Sequence, residues 1–290
     1  MSSIKLLKER SFGEIIQDSF QFIGRNFVHF TINFTIINGA FLLLSFLRNY
    51  YFGIDLRSLD AMQTLYLIIM IIGGLVSFAF TPVYMTLYHR NNGAHFDYKD
   101  IIEFYKANFS KIIIYLLVTI LLFIPLIIGF YIAVLLVAIT IVGVLLWPIL
   151  FAFIYLVFAF PLYEYLNSDR GIFECYGYAF TLIFKRFWAV TSAIALIYTL
   201  IFVTYIIFIS VFGIFSSFVG LDIEDPVAIQ TAMESYLEVL SSPLALLINI
   251  IVQILIASIS TSTGVAYYSQ KELVEKTNQY DELDQLGQDY

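Results

Sequence analysis

The chain has 290 residues, 60% of them hydrophobic and only 13% charged, with a mean hydropathy of +0.87. A water-soluble fold of this size needs far more polar surface, so composition makes a bilayer the solvent for most of the chain. Net charge is −7, and the single cysteine, Cys175, excludes disulfides and cysteine-built metal centres and reads as a packing residue.

From the start, Met1–Arg10 is polar and basic, and no cleaved signal peptide is expected. Ser11 and Glu14 then form a capping box that opens an amphipathic helix. Phe12, Ile15, Ile16, Phe20, Ile23 and Phe27 fall on one face; Glu14, Gln17, Asp18, Gln21 and Arg25 fall on the other. Such a helix is expected to lie in the membrane plane. Two apolar spans follow, Phe27–Leu47 and Met62–Leu87, each long enough to cross the hydrocarbon core. A second interfacial helix is expected from Asp97. Ile112–Leu162 then runs without one charged residue. A single helix of that length would extend about 75 Å, more than twice the bilayer core, so it must fold back near Gly129–Gly143. That gives spans three and four, Ile112–Ala133 and Val142–Leu162.

A third interfacial helix is expected from Gly171, then a fifth span, Trp188–Val211. The next loop carries five acids (Asp222, Glu224, Asp225, Glu234, Glu238) and no Lys or Arg. Asp225 and Pro226 suit the start of a helix on the outer face, running to about Leu240. The sixth span is Leu244–Ala266, and the tail from Lys271 to Tyr290 ends acidic. The expected fold is therefore all-α: a polytopic membrane helix bundle of six transmembrane helices within one domain, 1–270, followed by a tail, 271–290.

Three segments look alike. Phe20–Phe27 reads F-Q-F-I-G-R-N-F, Ile102–Phe109 reads I-E-F-Y-K-A-N-F, and Phe180–Phe187 reads F-T-L-I-F-K-R-F. Their starts are spaced about 80 residues apart, a regularity that suggests a repeated unit. Each unit would be an interfacial helix and a two-span hairpin, over about 11–90, 97–168 and 170–270. With the N-terminus placed inside, all of the 15 Lys and Arg residues except Arg48 and Arg57 fall on the inner side. The positive-inside rule then predicts both termini in the cytoplasm.

The spans carry no Asp, Glu, Lys or Arg deep in the membrane, which argues against an ion-coupled pump or a carboxylate-based intramembrane enzyme. Neutral polar residues do line up. Thr31, Thr35, Asn38 and Ser45 share a face of span one; Asn249, Gln253 and Ser260 share a face of span six with Gly264. They are candidates for a polar path or for helix packing. At the ends of the interfacial helices, Arg25, Lys106, Lys185, Arg186 and Trp188 are candidates for headgroup contacts or for docking a partner. The three histidines, His29, His89 and His95, fit no metal-ligand spacing. Glu164 and Asp169 near His89 and His95 would be the nearest thing to a reactive cluster. No P-loop, nucleophile elbow, zinc-protease or dinucleotide motif occurs. No enzyme, no cofactor and no nucleic-acid partner are expected.

Three stretches carry a family resemblance: Ser11–Phe27, Phe160–Trp188 and Gly264–Glu272. The chain resembles the membrane-domain family found fused to some glycerophosphodiester phosphodiesterases and also occurring alone in bacterial membranes. It departs from that pattern between Tyr176 and Phe184, which is largely aromatic where the family carries more basic residues and a serine. The resemblance implies a bacterial inner-membrane protein without hydrolase activity, since the membrane part accounts for the whole sequence. It carries over no catalytic residues. The functional expectation is a scaffold or accessory subunit of a membrane complex, or a lipid-interacting protein. The alternative is a transporter or channel for small molecules or lipids, using the polar faces of spans one and six.

Overall fold

In a computed structural model, residues 4–52, 61–122, 141–218 and 243–276 are described. They form eight helices: α1 (Phe12–Phe52), α2 (Ala61–Arg90), α3 (Tyr98–Ala107), α4 (Phe109–Leu122), α5 (Ile141–Asn167), α6 (Ile172–Lys185), α7 (Phe187–Phe218) and α8 (Pro243–Glu275). Five of these helices are long and apolar enough to cross a membrane, and the bent pair α3–α4 brings the count to six. The chain is a multi-pass, all-helical membrane protein. The expected outer helix from Asp225, Arg57 and the acidic tail beyond Lys276 lie outside the described residues, as does most of the expected turn at 129–143.

Capping chemistry sets several helix starts. At α1, Ser11 N–H donates to Glu14 Oε2 at 2.8 Å, and the Glu14 N–H reaches back to Ser11 Oγ at 3.5 Å. At α3, Asp97 accepts from Lys99 N–H and Asp100 N–H, while Asp97 N–H donates to the Asp100 carboxylate. α2 ends in a turn with Asn92 at φ 51° and Gly93 at φ 147°, where Gly93 N–H returns to Tyr88 O. That is the left-handed closure helices use to satisfy their last carbonyls.

The structure differs from expectation at the first amphipathic stretch. No separate interfacial helix forms there: α1 continues unbroken for 41 residues, about 60 Å, so one end projects beyond a core of roughly 30 Å. Its buried stripe is Ile15, Ser19, Phe22, Asn26, Phe30 and Phe34, the face turned to the bundle. The other two similar segments do break, both at their seventh position. Asn108 separates α3 from α4 with a bend of 69°, and Arg186 leaves helical geometry between α6 and α7. Sequence chemistry alone does not decide this, because Asn26 and Asn108 make the same side-chain bond to the carbonyl four residues back. Partners decide it. α1 packs most heavily on α8, whereas α3 packs on α1 and α2 while α4 bonds to α5 and α6.

The first and last described residues lie at one end of the bundle, termed the basal end: Ile4 N–H bonds to the Tyr88 hydroxyl and Tyr178 bonds to Glu275. Buried residues concentrate in the basal half, at Ala79–Tyr88, Leu156–Leu166 and Val265–Tyr268. Toward the other end the helices turn large apolar residues outward, among them Leu43, Ile71, Phe202 and Ile251, as lipid-facing surface requires. Gly264 lets α8 close on α2 and α5; a Cβ there would sit 2.7 Å from Met85 and 2.9 Å from the Tyr163 hydroxyl.

Candidate functional site

Polar chemistry gathers at the basal end in three groups. The first is built on Glu164, in the last turns of α5. Its carboxylate is almost wholly buried and accepts from Arg170 Nη1 at 2.8 Å, Lys271 Nζ at 3.0 Å and the Tyr267 hydroxyl at 2.5 Å. Arg170 opens the turn into α6, and Lys271 and Tyr267 lie on α8, so one carboxylate ties three helices. Arg170 also stacks on Tyr178, 3.9 Å from the ring centroid, and Tyr178 donates to Glu275 at 2.7 Å. Burial, reinforced by the bond to Glu275, holds the Tyr178 hydroxyl above its usual range, so it stays a donor. Tyr163 and Tyr267 stack at 5.0 Å beneath the cluster. A buried carboxylate with two cations and a phenol is fully compensated, and its chemistry is that of a clasp.

The second group is the N-terminal hook, residues 4–11. Arg10 is buried to 1% exposure. Its guanidinium donates to Asp18 Oδ2 at 2.7 Å and to the carbonyls of Lys5, Leu6 and Lys8 at 2.7, 2.7 and 2.9 Å. The hook is thus wound around a cation. Glu9 pairs with Arg186, fixing it to the α6–α7 junction. A pocket of about 310 Å³ lies between the hook and the end of α2.

The third group is the outward face of α6. Cys175, Tyr176, Ala179, Leu182 and Ile183 face inward, and burial pushes the Cys175 thiol up, which keeps it protonated. Phe173, Phe180 and Phe184 share the exposed side, continued by Trp188 at the start of α7. Their rings form a strip: Phe180 stacks on Phe184, Phe184 on Phe187, and Phe187 meets Trp188 edge-on.

Of the residues singled out from sequence, Lys185, Arg186 and Trp188 come together at the α6–α7 junction, all exposed. Lys106 is exposed on α3 beside the bend, and Arg25 is exposed on α1, so these two sit on other elements. The polar faces of spans one and six are not joined. Asn38 is buried and engaged with α2, accepting from Ser77 Oγ at 2.8 Å. Ser260 accepts from the Tyr198 hydroxyl of α7 at 3.1 Å. Thr31 is half-buried with its hydroxyl unpartnered, Ser45 is half-buried, and Thr35 and Gln253 face outward. The side chain of Asn249 lies outside the described residues.

His29 is engaged, with Nδ1 2.8 Å from the Tyr84 hydroxyl and Nε2 2.7 Å from Phe96 O, while His89 packs 4.8 Å from the Tyr268 ring. Asp169 and His95 are exposed. Among the described residues no group of three His, Cys, Asp or Glu side chains is placed to hold a metal. Sequence reasoning missed the hook and the Glu164 clasp. The available signals were an arginine directly before a capping serine, and a lysine four residues after Tyr267, one helical turn on and so on the same face. Compared with protein families, with curated proteins and with solved structures, the chain finds no match.

Proposed function

We propose that this is a non-catalytic membrane protein that works through contacts made by its basal end, as a lipid-interacting scaffold or accessory subunit. The observation that carries this reading is the aromatic strip of α6, Phe173, Phe180, Phe184 and Trp188, exposed beside Lys185. Exposed rings next to cations suit the boundary between acyl chains and headgroups. Glu164 and Asp18, the carboxylates of the clasp and the hook, are tied to cations, while the strip faces outward. The distribution of Lys and Arg supports a cytoplasmic basal end. The resemblance to the phosphodiesterase-associated membrane domains supports a bacterial inner membrane.

The test is purification in mild detergent with identification of bound lipids and proteins. Wild-type protein is expected to retain phospholipid or one recurring protein, and Phe180→Ser with Phe184→Ser is expected to lose several-fold of it. Equal retention by both proteins would remove the strip from the reading.

A second reading, transport, has one specific observation in its favour. Inside the bundle α8 carries Ser262, Thr263, Ser269 and Gln270 buried with side-chain polar atoms unpartnered, Gln270 at both amide atoms. Unpartnered buried groups of this kind are satisfied by internal water or by a polar solute. Gln270→Leu is expected to abolish flux of a transported solute in reconstituted vesicles if this reading holds; unchanged flux in a folded variant counts against it.

A further inference from the structure

The pocket beneath the N-terminal hook has features that neither the clasp nor the aromatic strip uses. Its wall is Ile4, Lys5 and Leu6 of the hook together with Tyr88, His89 and Asn92 at the end of α2. At about 310 Å³ it is at the small end of ligand sites, with room for a compact polar group. Ile4 and Leu6 are buried, and Arg10 holds the carbonyls of Lys5 and Leu6, so the hook wall is built rather than draped.

The polar side chains of this wall are uncommitted. Among the described residues Lys5 has no ion pair, and neither the His89 ring nor the Asn92 amide has a hydrogen-bond partner. The Tyr88 hydroxyl accepts from Ile4 N–H at 3.0 Å and keeps its own hydrogen to donate. Four carboxylates of the hook and the clasp pair with other cations: Glu9 with Arg186, Glu14 with Lys8, Asp18 with Arg10 and Glu164 with Arg170 and Lys271. Arg90 and Lys271 lie close enough to His89 to act on it electrostatically. The carbonyl end of α2 contributes about half a negative charge and opposes an anion, but the full ammonium of Lys5, with Arg90 at the same helix end, outweighs it.

We propose that this pocket binds a phosphate group, with Lys5 as the ion-pair donor and Tyr88, His89 and Asn92 as hydrogen-bond donors around it. Four donors lining one small pocket, one of them an ammonium, suit a compact oxyanion with several acceptor oxygens. The phosphate belongs either to a lipid headgroup entering from the interface or to a soluble phosphate. The proposal rests on the pocket alone and shares no residue with the aromatic strip, so either can fail without the other.

The chain has three histidines, so histidine-labelled protein gives three sets of imidazole NMR signals, with His89 assigned by His89→Gln. One arm adds sodium phosphate to protein in a neutral detergent. The other compares nanodiscs of phosphatidylcholine with and without phosphatidic acid. A saturable shift of the His89 signals in the first arm identifies soluble phosphate; a shift confined to phosphatidic acid nanodiscs identifies a headgroup. In either case Lys5→Gln is expected to weaken binding about tenfold, the loss of one charge-assisted hydrogen bond. Asn92→Asp, which keeps the left-handed turn but adds a negative charge, is expected to abolish it. The proposal is overturned if the His89 signals move in neither arm, or if both variants bind as the wild type does.

Discussion

At Glu164 a carboxylate is held in a protein interior by three donors, Arg170 from the turn into α6 and Tyr267 and Lys271 from α8. Removing one partner of such a buried arrangement leaves the rest uncompensated, which costs several kcal/mol, whereas the intact set is close to neutral against an apolar core. Glu164→Gln is therefore expected to lower unfolding stability by about 3 kcal/mol, read in detergent by thermal or denaturant unfolding. Lipid retention per folded molecule is expected to be unchanged. Loss of retention with unchanged stability would give the carboxylate a direct functional role.

Arg10 follows the same logic. Arg10→Met removes the donor for three carbonyls, and the expected result is rapid proteolysis within residues 4–11 while the bundle stays intact. A hook that resists protease to the same extent as wild type would show that the guanidinium does not hold it. At Gly264 the constraint is steric. Gly264→Val places atoms where Met85 and Tyr163 already sit and is expected to cost about 2 kcal/mol, again visible in the unfolding transition.

At the scale of the element, the helices differ in how much of them the sequence announces. The Ser11–Glu14 and Asp97–Asp100 capping pairs are local, and both form. The cost of Asp97→Ala is expected to be about 1 kcal/mol, appearing as faster amide exchange confined to Tyr98–Ala107. Whether an amphipathic stretch lies flat or runs straight into a span is not local. Phe12, Phe20 and Ile23 mark a plausible interfacial face, yet the stripe that becomes buried is Ile15, Ser19, Phe22 and Asn26, chosen by α8. Two polar residues in that stripe disguise it in a pattern of hydrophobic periods. The polar faces of spans one and six were legible as helix faces but not as neighbours, because helical spacing says nothing about which helix lies opposite. Asn38 finds Ser77 of α2, and Ser260 finds Tyr198 of α7. The exposed residues at the α6–α7 junction, Lys185, Arg186 and Trp188, were legible because a basic–aromatic pattern at a helix end is local in sequence.

For the whole molecule, apolar composition and the placement of Lys and Arg already point to a bundle with both ends of the chain on one side. The structure adds that the polar interactions concentrate there, while the opposite half turns isoleucine, leucine and phenylalanine outward. The cytoplasmic orientation proposed for this end predicts that cysteines placed singly at Lys5 and Lys276, in a Cys175→Ser background, react with an impermeant maleimide only after the membrane is opened. Labelling of either in intact spheroplasts would reverse the assigned orientation.

The central claim is that the aromatic strip at the α6–α7 junction lies at the bilayer boundary and makes the protein's contacts. The chain has two tryptophans, Trp147 and Trp188, so Trp147→Phe leaves Trp188 as the sole reporter. In vesicles of lipids brominated at different acyl depths, Trp188 fluorescence is expected to be quenched most by bromines nearest the headgroups and to be shielded from aqueous iodide. Strong iodide quenching with no response to brominated lipid would place the strip in water and contradict the account.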